Sequence, residues 1–97
     1  MMLRDYEMVY IVQPDLEEEA VNGLLEKFSA VITADGGEVV QVDHWGKRRL
    51  AYEIRDFRDG NYFLVNFKGL PRTAGELDRI FKLTDEVLRF MIIRREK

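Results

Sequence analysis

Hydrophobic and polar positions recur along this chain with two different periods. Tyr6-Glu7-Met8-Val9-Tyr10-Ile11-Val12 is dense in aromatic and β-branched residues and predicts a first strand, stopped by Gln13-Pro14. The period then lengthens. Leu16, Ala20, Val21, Leu24, Leu25, Phe28, Val31 and Ile32 follow in steps of mostly three and four, the apolar stripe of an amphipathic helix. Asp15 is the expected N-cap, with Glu18 in the capping-box position and Gly36-Gly37 as the stop. A second strand is predicted from Glu38 to Ile54, with a bulge or bend near Gly46 and with Leu50, Tyr52 and Ile54 alternating along it. Arg55 to Asn61, with Asp59-Gly60-Asn61 as its turn signal, is the expected hairpin connection into a third strand, Tyr62 to Phe67, closed by Leu70-Pro71. Thr73 and Glu76 repeat the capping-box spacing, and Leu77, Ile80, Phe81 and Thr84 mark a shorter second helix. Val87 to Ile93 is the last strand.

The order is strand-helix-strand twice over. Such a pseudo-repeat packs as a four-stranded antiparallel sheet with both helices on one face, the α+β ferredoxin-like fold. Two helices cover only one face, so the other must be accounted for. Strand alternation puts Tyr6, Met8 and Tyr10 on one side and Val9 and Ile11 on the other; Tyr62 and Leu64 oppose Phe63, Val65 and Phe67, and Phe90 and Ile92 oppose Met91 and Ile93. Val9, Ile11, Phe63, Val65, Met91 and Ile93 are the expected apolar footprint of a protein partner on the uncovered face.

Length bounds these elements to one domain over residues 1–97, since a chain of 97 residues buries enough surface for a single two-layer core. With 46% hydrophobic and 34% charged residues the composition is globular rather than disordered. Cysteine is absent, which removes disulfides, zinc-thiolate sites and thiol chemistry, and His44 is the one soft metal ligand. No metal, cofactor or small-molecule substrate is expected. The start, Met1-Met2-Leu3-Arg4-Asp5, has no apolar run behind it, and no segment reaches the ~20 apolar residues of a membrane span, so the expectation is a cytoplasmic protein without a membrane partner.

Charge narrows the function further. The net charge of -3 argues against indiscriminate binding to nucleic acid, yet Trp45 to Arg58 holds five basic residues against two acidic ones, a local +3. Arg89 to Lys97 holds four against one, again +3. Acids gather elsewhere, at Asp15, Glu17, Glu18, Glu19 and Glu26, which predicts a molecule with a basic end.

Three features invite a chemical reading. His44 lies near Asp43, Glu38 and Tyr52, but a general base also needs a pocket and a second catalytic group, and a single histidine on a polar strand edge reads as a surface residue. Glu17-Glu18-Glu19 cannot converge on one metal ion, because consecutive helical side chains point apart. Gly36-Gly37 follows a helix, whereas a phosphate-binding loop precedes one. No catalytic residue is assigned. The run Lys47-Arg48-Arg49 is different. It lies in a strand, between Trp45 and Tyr52, and arginine with aromatic neighbours suits phosphate and unstacked bases.

The segment Gly46-Lys47-Arg48-Arg49-Leu50-Ala51-Tyr52-Glu53-Ile54-Arg55 resembles the signature of the bacterial small-subunit ribosomal protein six family. Arg4-Asp5-Tyr6-Glu7, Gln13-Pro14-Asp15, Asp85-Glu86-Val87-Leu88-Arg89 and Met91-Ile92-Ile93-Arg94 extend the likeness over nearly the whole chain. The resemblance implies a ferredoxin-like structural component of the small ribosomal subunit that binds the central domain of the ribosomal RNA together with ribosomal protein eighteen. By position it makes Arg4, Lys47, Arg48 and Arg49 the expected phosphate contacts, with Trp45 and Tyr52 available either to RNA or to the core. Many members carry a charged C-terminal tail; this sequence ends at Arg94-Arg95-Glu96-Lys97, so no tail function is expected of it.

Two other readings share the element order. An RNA-recognition motif would stack bases on its sheet, but Leu64 and Phe63 stand where the third strand needs an aromatic and a small residue, so the sheet face is expected to meet protein rather than RNA. A small face-to-face dimeric enzyme would have His44 as its sole distinctive catalytic group and would retain no RNA on purification.

Overall fold

The computed structural model describes residues 3–95; Met1, Met2, Glu96 and Lys97, and with them the end of the basic C-terminal run, lie outside the described residues. The elements follow the predicted order: β1 Arg4–Val12, α1 Glu18–Ala34, β2 Glu38–Ile54, β3 Phe57–Gly69, α2 Pro71–Leu83 and β4 Val87–Arg94. The strands form one antiparallel sheet in the order β2-β3-β1-β4, the ferredoxin-like arrangement.

Both helix starts differ from the capping expectation. Pro14 and Asp15 are used in a turn that redirects the chain after β1, and α1 begins only at Glu18, with Glu17 at the N-cap and no side-chain cap bond. In α2 the N-cap is Leu70 and Pro71 opens the first turn, its fixed φ suiting that position. Thr73 therefore lies inside the helix, where its hydroxyl accepts the Leu70 N–H (3.3 Å) and donates to Asp35 (2.8 Å). Glu76 pairs with Arg79 along the helix instead of reaching back to a cap. The predicted stop of α1 holds: the Gly37 N–H donates to the Ile32 carbonyl (2.9 Å) and that of Gly36 to Thr33 (3.0 Å), with Gly36 at φ +81°. These are the paired bonds of a Schellman ending.

The hairpin turns at the start of the expected connection over residues 55–61 and not at its turn signal. Ile54 pairs with Phe57, so the turn is Arg55-Asp56, at φ +49° and +67°, and Asp59-Gly60-Asn61 runs inside β3. Gly60 is there because space is short: a Cβ at that position would collide with Ile11 Cγ2.

Register decides which residues share a face. Tyr6 pairs with Phe67, Met8 with Val65 and Tyr10 with Phe63, so Phe63 (3% exposed) and Val65 (0%) lie under the helices. Paired residues of an antiparallel ladder point to the same side, and this corrects their expected place on the uncovered face. The covered face packs Tyr10 against Phe28, Phe63 and Phe81, with Phe90 stacked on Phe81. Each such fully buried ring contributes about 1.5–3 kcal/mol. A second, smaller core of Ile11, Leu50 and Leu88, with Ile54, Phe57 and Tyr62 beside it, forms where the hairpin extends past the end of β1. Ile11 is thus on the uncovered side, as expected, but at 7% exposure it is buried by its neighbours and offers nothing to a partner.

Candidate nucleic-acid interface

The edge strand β2 carries the basic run, and a bulge sets its geometry. Gly46, at φ +83°, lies where the register with β3 shifts between His44 and Gly46. Before the bulge, His44 is on the helix side, its ring flat against Phe63 (4.3 Å between centroids, 2° between planes). Asp43 pairs with Leu64 across the other face, where Gln41 Nε2 donates to its carboxylate (3.2 and 3.3 Å), so the histidine and its neighbouring acid are not brought together. After the bulge, Trp45 turns to the uncovered face beside Tyr62, with ring centroids 6.4 Å apart and planes within 14°.

Alternation then divides the run. Arg48 lies on the uncovered side, its guanidinium 5.6 Å from the Trp45 ring centre, while Lys47 and Arg49, paired with Asn61 and Asp59, project from the opposite side of the strand. All three are exposed, and Lys47 and Arg49 make no ion pair with any described residue. Other cations of the segment are engaged: Arg58 pairs with Glu53 (3.1 Å), and Arg55 donates to the Asp85 carbonyl. Trp45 is 44% and Tyr52 60% exposed, which takes both out of the core. Tyr52 is held by Arg89, whose guanidinium donates to the phenol oxygen at 2.9 Å.

Arg4 does not join this cluster. It opens β1 opposite Gly69, and the nine-residue strand holds it about 27 Å from Val12, the level at which Lys47 begins the run. Of the expected partner footprint, Val9, Met91 and Ile93 do line the uncovered face, with Leu64 between Val9 and β2; Met91 is 52% and Ile93 42% exposed. Among the described residues no three acidic, histidine or cysteine side chains converge as a metal site, and no helix is long and apolar enough to cross a membrane.

A family model described as Ribosomal protein S6 matches residues 5–94. The chain belongs to the ribosomal protein S6 family. Relatives agree: it is 50% identical over 95 residues to the small ribosomal subunit protein bS6 of Heliobacterium modesticaldum, covering 98% of this chain and 99% of that one. Identity to the bS6 of Moorella thermoacetica is also 50% over 95 residues, with 98% and 97% covered. The crystal structure of the 30S ribosomal protein S6 of Thermotoga maritima superposes with a TM-score of 0.87 at 31% identity, over 96% of this chain and 88% of the other. As an S6-family protein of the bacterial small subunit, the chain is a cytoplasmic ribosomal protein.

Two residues beside the S6 signature escaped the sequence reading of the site. Tyr62 and Arg89 face Trp45 and Tyr52 from β3 and β4, and Ile11 pairs with both of them across the sheet. Their signal was the strand order, which brings the start of β4 beside the end of β1; the irregularity expected near Gly46 is a bulge, and the face to which it delivers Trp45 follows from the register with β3.

Proposed function

We propose that the chain, acting as one domain over residues 1–97, is a structural component that binds the central domain of small-subunit ribosomal RNA together with ribosomal protein eighteen and catalyses no reaction. The observation that carries this reading is the exposed edge strand in which Lys47, Arg48 and Arg49 stand without a carboxylate partner. Guanidinium and ammonium groups so placed exchange water for phosphate oxygens at little cost, and on both sides of one strand they can contact two neighbouring backbone segments. Arg4, at the far end of β1, would touch a separate stretch of RNA. The net charge of -3 makes the isolated chain a weak RNA binder, so a basic partner is needed to raise affinity. Val9, Leu64, Met91 and Ile93 offer that partner an apolar seat on the uncovered face.

Filter binding of a central-domain RNA fragment across a salt series tests the reading. Replacing Arg48 and Arg49 together with alanine is expected to weaken binding and to reduce the slope of log affinity against log salt by roughly one unit per lost phosphate contact, with the fold unchanged. Unchanged affinity and slope would show that these arginines do not touch RNA.

A further inference from the structure

Arg89, Ile11, Tyr62 and the Trp45-Gly46 bulge form one row across the four strands on the uncovered face. The row has aromatic surface in the middle and a guanidinium at each side. Trp45 and Tyr62 lie nearly parallel, Arg48 sits against Trp45, and Arg89 stands over Tyr52 at 5.9 Å from its ring centre. A hollow of about 290 Å³ adjoins the Tyr62 ring, lined by Val9, Ile11, Tyr62, Arg89, Phe90 and Met91. Neither arginine is neutralised: Arg89 bonds a neutral phenol, and Arg48 meets only the indole. Of the acids on this face of β2, Asp43 is held by Gln41, and Glu38 lies at the far end of the strand opposite Lys68.

From this arrangement we infer that Trp45 and Tyr62, flanked by Arg48 and Arg89, form a stacking subsite for one unpaired RNA base. The inference rests on the RNA-binding reading above and deepens it. A base supplies the flat π-face that the ring pair matches, and its two flanking phosphates supply the anions that the guanidinium groups lack. An aliphatic protein segment would leave both guanidiniums unpaired at its rim, which disfavours it. The platform takes one base and no more, because the next uncovered positions along β3 and β4 are Leu64 and Met91. The uncovered face is thereby divided: its hairpin end meets RNA, and its aliphatic middle meets the partner protein.

Trp45 is the one tryptophan of the chain, so its emission reports on the subsite directly. The full chain is titrated at low salt with an adenylate hexamer and, separately, with inorganic polyphosphate, whose binding is read by competition. The hexamer is expected to quench Trp45 saturably, and polyphosphate to bind without doing so. Tyr62→Leu is expected to weaken the hexamer about tenfold, the scale of one lost stacking contact, while polyphosphate affinity stays the same. Because Tyr62 also touches the second core, circular dichroism accompanies it. Trp45→Leu at an exposed position gives an independent check by anisotropy of labelled hexamer, with the same loss expected. Hexamer binding with no change in emission and equal affinity in both variants overturns the stacking subsite while leaving the phosphate contacts standing. Equal quenching by polyphosphate also overturns it, as does emission that answers ribosomal protein eighteen but not the hexamer. Failure of both polyanions to bind at any concentration overturns the RNA-binding reading as well.

Discussion

The two faces of this sheet are built from the same strands with similar side chains and have opposite fates. On one, Tyr6, Met8, Tyr10, Phe63, Val65 and Phe67 are sealed beneath two helices; on the other, one residue out of step, Val9, Leu64, Met91 and Ile93 remain half-buried or exposed. Hydrophobicity does not distinguish them. Cover does, and cover is decided by register, which a single-residue slip would invert. Under the proposed function, the exposed face is a surface kept for contact and not a weaker core.

The largest effect should come from charging adjacent residues of β3. Val65→Asp places an unpaired carboxylate at a fully buried position and is expected to cost more than about 4 kcal/mol, enough to prevent folding. Leu64→Asp, on the uncovered side, should cost less than about 1.5 kcal/mol. Urea denaturation followed by circular dichroism compares the two; similar losses would erase the distinction between the faces. Next is Gly60→Ala. Its added methyl would meet Ile11, which is buried in one cluster with Leu50 and Leu88, so a loss of about 1–3 kcal/mol is expected in the same experiment.

The smallest effect concerns the sealed face itself. The Tyr10 hydroxyl is buried with no hydrogen-bond partner, and burial raises its ionisation well above the usual phenol value. Tyr10→Phe is expected to stabilise the protein by about 1 kcal/mol by removing a desolvated polar group. The pH dependence sharpens this. The folded pKa is raised, so above about pH 10 the unfolded chain sheds this proton first and stability falls as pH climbs; below that pH the penalty is absent. Denaturation midpoints measured from pH 8 to 11 should fall less steeply in the phenylalanine variant.

Much of this was legible in the sequence. The two periods gave all six elements, because strand and helix stripes are long here and their stops, Gln13-Pro14 and Gly36-Gly37, are strong. The faces were not legible. Their relative register depends on where the hairpin turns, and Arg55-Asp56 takes up left-handed backbone that is more common for asparagine and glycine, while Asp59-Gly60-Asn61 only looks like a turn. Assigning Phe63 and Val65 to the open face followed from reading each strand alone. Lys47, Arg48 and Arg49 were found as a run, but alternation splits them across the strand; Gly46 marks a bulge or bend in the sequence, yet its gathering of Trp45, Arg48 and Tyr62 becomes visible only once the register is known.

The division of labour between edge strand and open face is tested most directly by one comparison: the affinity of the wild type and of Met91→Asp for the central-domain RNA, each with and without ribosomal protein eighteen at one salt concentration. Met91 is half exposed, so the variant should fold; because Met91 also borders the hollow beside Tyr62 and Arg89, the effect of the partner is read for each protein against its own partner-free affinity. The partner is expected to raise the affinity of the wild type and to leave Met91→Asp at its partner-free value, because an unpaired charge in the apolar seat costs several kcal/mol of docking. Equal enhancement of both proteins would contradict the account and place the partner away from the open face.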